Sequence, residues 1–403
     1  MPASTIRFAM CDVVQLREVP RWGCSVHAKN HGYTSGAHES LICDQPRLDA
    51  FREAIERAAP GRRVLDVGTG PFMVLGRISQ RSGSPFVACV EHSHRSVTLA
   101  LEVLKREVNI GLLAGVAPKP PWVVDASIDE ECLQFLGQLG QLNVRLKPSH
   151  LACPTQAQGL GCVALVTGSG GGASTLALYE GLSSATALPG DMELVVHEIL
   201  GHIASAEGVV KAIRELRTRP GLLAPSCCFV PCAAMTMIAP TSPLPPQAGV
   251  APPVTSCMYH VGQFPAGSVL ATPQPMESYV FDDADLFRGL DDRQQRTCSF
   301  LVPDGGSGFD GLLMHLRVQL DASTTLDAYE QATTWECSYV RLLAAPIHLA
   351  GGARIEFRCH VEAGTDSPAY RVDVFVQQQQ QPMQHHAEAP LAHVVTFSWS
   401  GDG

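Results

Sequence analysis

A chain of 403 residues, 45% hydrophobic and 17% charged, is long enough for two domains with cores of their own. A net charge of −10 excludes the basic footprint of a nucleic-acid-binding protein and favours basic partners. The 14 cysteines form no CxxC and the chain opens MPASTIRFAM without an apolar h-region, so they read as reduced thiols of an intracellular protein; no apolar run is long enough to cross a bilayer.

Polar loops open the chain and give way to HESLICDQPRLDAFREAIERA, where Leu41, Leu48, Phe51, Ile55 and Ala58 recur at helical intervals; Pro46 should begin the second half of that helix. VLDVGTG (64–70) is a β-branched run ending in Asp66 and a glycine turn, followed by a predicted helix over 73–80. A second strand, FVACVEHS, ends in Glu91, 21 positions beyond Gly70. An acid at the tip of the second strand of a βαβ unit is placed to hold a ribose diol. A dinucleotide site would need a third glycine where Met73 stands and would have no use for Asp66. A sulfonium nucleoside carries no pyrophosphate, so Asp66 and a short turn suffice. Adenosylmethionine is therefore favoured, with NAD the alternative and a ligand-free glycine turn the plain one.

Residues 109–158 combine Pro118, Pro120 and Pro121 with an acidic tip and a leucine-rich piece, and are expected as a surface insertion, partly helical. GLGCVALVTGSGGGAS supplies a strand and then a glycine cluster with no Lys-Ser or Lys-Thr after it, so it is read as a loop and not as a phosphate cradle. Beyond Pro225 come short alternating runs, CCFVPCAAMTMIA, SCMYHVGQF, LLMHLRVQL, WECSYVRLL, ARIEFRCHVEA, YRVDVFVQ and HVVTFSWS, which argue for an antiparallel barrel or sandwich. A proline-rich segment over 240–275 interrupts them, and the glutamine run at 377–381 with His385 and His386 reads as a hairpin tip without metal-ligand spacing.

The stretch over 192–225, MELVVHEILGHIASAEGVVKAIRELRTRPGLLAP, organises the rest. Leu194, Val195 and Val196 fit a buried parallel strand that delivers Glu198 at its carboxyl end; a helical pattern carries Glu207 nine positions on, past a turn at Gly201. Two carboxylates without a histidine cluster suit a planar cation that takes two hydrogen bonds from each side, and guanidinium is that cation. Taken alone, the pair also fits one capping carboxylate and one solvated helix residue.

In this order the motifs resemble the protein arginine methyltransferases, over about residues 33–399. HEILGHIASAE resembles that family's double-glutamate loop, VLDVGTG its first cofactor motif, and HESLICDQPRLDAF the helix that closes over the cofactor; FDGLL (309–313) and TTW (333–335) resemble its barrel signatures. The resemblance implies an α/β chain, a seven-stranded Rossmann-like methyltransferase sheet followed by an antiparallel β-barrel. It divides the chain into an N-terminal helical segment (1–60), a cofactor domain (61–225, insertion about 109–158) and a barrel for substrate and dimerisation (226–403, proline-rich arm about 240–275).

It further implies S-adenosyl-L-methionine as cofactor, held by His38, Arg47, Asp66, Gly68, Gly70 and Glu91: Arg47, supported by His38, on the methionyl carboxylate and Glu91 on the ribose. Glu198 and Glu207 would be the catalytic pair that clamps the arginine of a protein substrate, Arg/Gly-rich by charge; no metal, nucleic acid or membrane is implied. A homodimer in the cytoplasm or nucleus is expected. A relative that binds or activates a partner without catalysis is the alternative, and methylation of a small molecule a third. The departures are Thr334 where the family has the histidine that pairs with Asp44, His197 before Glu198, Pro71 and Phe72 after the glycine turn, and no evident acid for the adenine amine, the segment YEGLSSATALP offering Ser183 and Ser184 with Glu180 displaced. His197 reads as a packed, hydrogen-bonded residue.

Overall fold

The computed structural model describes residues 24–25, 44–113, 142–145, 162–168, 174–246, 253–255, 257–283, 292–365, 367–378 and 391–400. His38, most of the 109–158 insertion, the glycine cluster and the glutamine-rich tip with His385 and His386 lie outside them.

The first half is built on a seven-stranded sheet. Its parallel core is β2 (Arg63–Val67), β3 (Phe86–Glu91), β6 (Thr175–Glu180), β7 (Met192–His197) and β8 (Leu223–Val230), in the order β6-β3-β2-β7-β8. An antiparallel edge, β4 (Leu142–Arg145) on β5 (Cys162–Gly168), continues the sheet beyond β6. β4 falls inside the stretch expected as a partly helical insertion, so that stretch contributes a strand. Helices α1 (Gln45–Ala58), α2 (Val74–Arg81), α3 (His94–Leu113) and α4 (Val209–Thr218) accompany it.

These strands read as continuous apolar runs because helices cover the parallel sheet: Val64, Leu65, Val87, Ala88, Leu194, Val195 and Val196 are all fully buried. α1 begins at Gln45 with Pro46 in its first turn, where the missing N–H costs nothing, and Asp44 caps it by accepting from the Arg47 backbone N–H at 3.3 Å. Pro46 thus lies in the first turn of α1, just after the N-cap, and the first half of the expected helix, before Asp44, lies outside the described residues. Leu48, Phe51 and Ile55 form its buried stripe.

Only Pro231 and Cys232 separate β8 from β9 (Ala233–Thr241), which belongs to a different sheet. The parallel sheet therefore continues to Val230, past the division drawn at 225, and CCFV belongs to it. Reading alternation alone merged this last parallel strand with the antiparallel runs that follow.

The second half consists of antiparallel sheets. The largest orders β1 (Cys24–Ser25), β10 (Met258–Val261), β16 (Cys337–Arg341), β14 (Gly311–Gln319), β9 and β11 (Gln274–Val280), with β15 (Thr325–Asp327) also on β14. β12 (Arg293–Leu301), β18 (Arg354–Glu362), β19 (Ala369–Gln377) and β20 (Ala392–Ser400) form a four-stranded sheet; β13 (Ser307–Phe309) pairs with β17 (Ile347–Leu349).

Side-chain amides join the edges of the two large sheets. Gln274 on β11 donates to the Ser299 carbonyl at 2.6 Å and accepts from the Ser299 N–H at 3.2 Å, while Gln294 on β12 does the same for Ser278 at 3.0 and 3.1 Å. Each glutamine stands in for a backbone rung, which satisfies an edge that would otherwise be open. Part of the described proline-rich segment belongs to this sheet: β10 sits between β1 and β16, and Thr241 bridges Val269. One continuous apolar cluster runs from α1 and the parallel sheet into the antiparallel half.

The FDGLL glycine has a packing reason. A Cβ on Gly311 would meet the Val340 carbonyl oxygen at 2.6 Å, Tyr339 Cε2 at 2.8 Å and Thr241 Oγ1 at 2.9 Å.

Candidate active site

The strand order reverses between β2 and β7, and in open α/β sheets ligands bind beyond the carboxyl ends of the strands at such a point. Asp66, Glu91, Glu180 and Glu198 all lie on or next to those ends. Gly68 and Gly70 turn the chain there with φ of 70° and 63°, which L side chains rarely adopt. Met73 follows in the left-handed region at φ 49° and starts α2 without a side-chain cap. Both Pro71 and Phe72 are buried.

Asp66 accepts from the Gly76 N–H at 2.9 Å and from Thr69 Oγ1 at 2.5 Å. Burial outweighs both donors and pushes its carboxyl up to about 7. A Cβ on Gly76 would meet Cys89 Sγ at 2.3 Å and Asp66 Oδ2 at 2.9 Å, so only glycine lets the helix approach this acid. Glu91 accepts one backbone N–H on each oxygen, from Gly70 at 3.0 Å and from Ser93 at 2.8 Å. A carboxylate has about four acceptor positions, which leaves it capacity for a diol. Next door in register on β6, Glu180 is bonded to His94 Nδ1 at 2.7 Å.

Glu198 sits one residue past β7 with its side chain 25% exposed, and it accepts from Arg47 Nε. Arg47 Nη1 donates to Thr334 Oγ1 at 2.8 Å, and the guanidinium lies over the Trp335 ring, 4.3 Å from its centroid. The arginine that the resemblance assigns to a cofactor carboxylate is thus held by the glutamate assigned to the substrate. Arg47 Nη2 makes no hydrogen bond among the described residues.

Asp44 Oδ2 accepts from both the backbone N–H and the hydroxyl of Thr334, at 2.6 and 2.9 Å. Where the resemblance implies an Asp–His pair, the structure has an Asp–Thr pair, which ties the start of α1 to the antiparallel half by neutral donors. Cap and interdomain contact share one carboxylate.

Glu207 lies in the loop two residues before α4, separated from it by Gly208 at φ 76°, and not on the helix as the periodicity predicts. The loop folds back: a Cβ on Gly201 would come within 3.4 Å of Glu207 Cγ and 3.2 Å of Ala206 Cβ, so the bare glycine makes room for the second glutamate. Trp335 Nε1 donates to the Leu200 carbonyl at 3.0 Å, and the Ala204 N–H donates to Thr236 Oγ1 at 2.9 Å. The other end of the loop is held by a residue that sequence reasoning missed. Fully buried Glu277 on β11 accepts from Ser205 N–H (3.2 Å), Ser205 Oγ (2.6 Å), Thr236 Oγ1 (2.6 Å) and Tyr279 OH (2.8 Å), and Tyr370 OH lies 2.8 Å from Ser205 Oγ. Burial raises the Glu277 carboxyl against these donors. A β-bulge between Pro275 and Glu277 breaks the alternation, so Met276 and Glu277 are both buried and parity could not mark the acid as inward.

His197 departs from its expectation. It is buried against Phe281 and Phe229 at ring distances of 4.9 and 6.4 Å, and neither ring nitrogen has a hydrogen-bond partner. Burial lowers its pKa to about 3, which favours the neutral ring near pH 7.

A doubly wound sheet with a carboxylate-rich edge, followed by antiparallel sheets that grip the loop after β7, is the architecture of the protein arginine methyltransferases. Solved structures that share the fold include the following two. Trypanosoma brucei PRMT1, in an enzyme-prozyme heterotetrameric complex with AdoHcy, is 14% identical, with 91% of this chain and 98% of that chain covered at a TM-score of 0.57. Arabidopsis thaliana protein arginine methyltransferase 10, in an open conformation, is 13% identical over 92% of this chain and 98% of that one, at 0.60. No family model and no curated protein matches the sequence, so the likeness is one of fold.

Proposed function

We propose that this protein transfers a methyl group from S-adenosyl-L-methionine to a guanidinium nitrogen of arginine in protein substrates. The observation that carries the reading is that Glu198, at the carboxyl end of β7 and beside Asp66 and Glu91, already holds a guanidinium, that of Arg47. A structural neighbour solved with AdoHcy supports the choice of cofactor.

The residues present fit that cofactor. The positive-φ turn at Gly68 and Gly70 lets backbone approach a nucleoside, Glu91 retains acceptor capacity for a ribose, and Arg47, with Nε and Nη1 engaged, keeps Nη2 as a donor for an α-carboxylate. Adenosylmethionine supplies an electrophilic methyl on a sulfonium. The chain's own groups do the rest. A guanidinium is a poor nucleophile because its lone pairs are delocalised; Glu198 and Glu207 bind its N–H groups, fix one nitrogen in line and draw the positive charge to the far side. Glu277, Thr236 and Trp335 hold the loop that sets this geometry. A proton leaves the product nitrogen, and a glutamate or water takes it; neutral His197 does not. We further propose that the acidic chain prefers Arg/Gly-rich tails and works as an oligomer in the cytoplasm or nucleus, the heterotetrameric neighbour being the support for assembly.

Isothermal titration with adenosylmethionine and adenosylhomocysteine, beside Glu91→Ala, tests the cofactor half: binding that the variant loses is the expected result. Glu198→Gln tests the substrate half. Its turnover of an Arg-rich peptide should fall on the order of 10²–10³-fold, the cost of losing one preorganised charge partner. Unchanged turnover would overturn the assignment, and absent cofactor binding would leave the non-catalytic partner-binding reading.

A further inference from the structure

We infer a divalent-metal site, suited to zinc, made by His202, His260 and Glu336 where the double-glutamate loop meets the barrel. Among the described residues their donor atoms all lie within 4.8 Å of one another, and all three side chains are half-buried. They come from three elements: His202 from the loop after β7, His260 from β10, Glu336 from the turn before β16. Two imidazoles and one carboxylate are the donor set of open zinc sites, with a fourth position left for water. Tetrahedral zinc at about 2.0–2.1 Å from its ligands spaces them about 3.3 Å apart, so side-chain rotations of roughly an ångström close the set.

The hydrogen bonds around the cluster are those of ligating histidines. His202 Nδ1 bonds the Trp335 carbonyl, which only accepts. Nδ1 therefore donates, and in the neutral ring that leaves the lone pair on Nε2, the tautomer that a metal requires; backbone oxygens commonly serve as such outer-shell partners. His260 Nδ1 lies 3.4 Å from Ser338 Oγ, its cross-strand partner. The two rings stack with centroids 3.8 Å apart and planes inclined by 24°, which keeps the two imidazoles together. Glu336 is one of only three non-glycine residues among those described with positive φ, 49°, in a turn closed by its N–H on the Thr333 carbonyl at 3.0 Å. L residues rarely adopt that conformation, and here it occurs at the residue whose carboxylate lies beside the two histidines. The sequence spacing of 202, 260 and 336 matches no metal motif, because only the fold brings them together.

A bound cation would pin the loop to β10 and β16, in the same region that Trp335 already holds. Occupancy is independent of methyl transfer and is read without turnover. The full chain, stripped with chelator, is titrated with zinc chloride alone, with magnesium as control, in parallel with His260→Ala and Glu336→Gln. The expected result is one equivalent of zinc and a raised Tm for the wild-type chain, both lost in each variant, whose metal-free Tm and circular dichroism match the metal-free wild type. Cobalt loading should give tetrahedral d–d bands without a thiolate charge-transfer band. Absence of zinc uptake by the wild-type chain, uptake of the same equivalent by both variants, or a thiolate band would each overturn the site, the last two placing the metal on cysteines.

Discussion

At Gly76, chemistry and packing meet in one missing methyl. Its N–H holds Asp66, and any Cβ would strike Asp66 and Cys89. Gly76→Ala should therefore destabilise the chain by about 1–3 kcal/mol, the usual cost of overpacking, although alanine favours helices; a urea midpoint that rises instead would refute the contact. Asp66 gives a pH prediction. Its folded pKa of about 7 lies above the ordinary 3.8, so the folded state binds the proton more tightly. The associated stability is complete below about pH 4 and disappears as pH rises through about 7, on the order of 4 kcal/mol across the window. Asp66→Asn should remove that slope, measured as the difference between the urea midpoints of wild type and variant at several pH values.

At the scale of elements, the loop between β7 and α4 takes its shape from the barrel. Ser205, Thr236 and Tyr279 all donate to Glu277, and Ala204 donates to Thr236. Removing the acceptor strands several buried donors, at about 1–3 kcal/mol each before relaxation. Glu277→Ala should speed hydrogen exchange of amides over 198–208 and lower kcat more than cofactor affinity, since Asp66 and Glu91 lie on other strands. Equal exchange in variant and wild type would mean the loop holds itself. α1 depends in the same way on Thr334: Thr334→Val removes one bond to Asp44 and one to Arg47, and should loosen α1 by about 1–2 kcal/mol in exchange measurements.

Across the whole molecule, the net charge of −10 bears on how the proposed Arg-rich substrate would arrive. Attraction between an acidic protein and an Arg-rich tail is screened within about 8 Å at physiological ionic strength. KM for an Arg-rich peptide should therefore rise severalfold between low and moderate salt while kcat changes little. A salt-independent KM would assign recognition to short-range contacts alone. The interface between the two halves has a second, uncharged component, the continuous apolar cluster, which salt does not weaken.

The amino-acid sequence by itself determined the strands, the glycine turn and the acids at the strand tips, because these rest on local periodicity and turn chemistry: VLDV, FVACVE and MELVVH became β2, β3 and β7, and Asp66, Glu91 and Glu198 stand at or beside their carboxyl ends. The barrel signatures FDGLL and TTW were legible as strings, but their purpose was not. Only the tertiary structure decided that Thr334 serves Asp44 in place of a histidine, that Arg47 rests on Glu198, that Glu207 precedes its helix, that CCFV completes the parallel sheet and that Glu277 anchors the loop. Each of these depends on partners 32 to 290 positions apart or on a break in the local pattern at a bulge or a positive-φ glycine. Periodicity reports which face of an element is apolar; it carries no information about which distant donor will meet a buried carboxylate once those faces have packed.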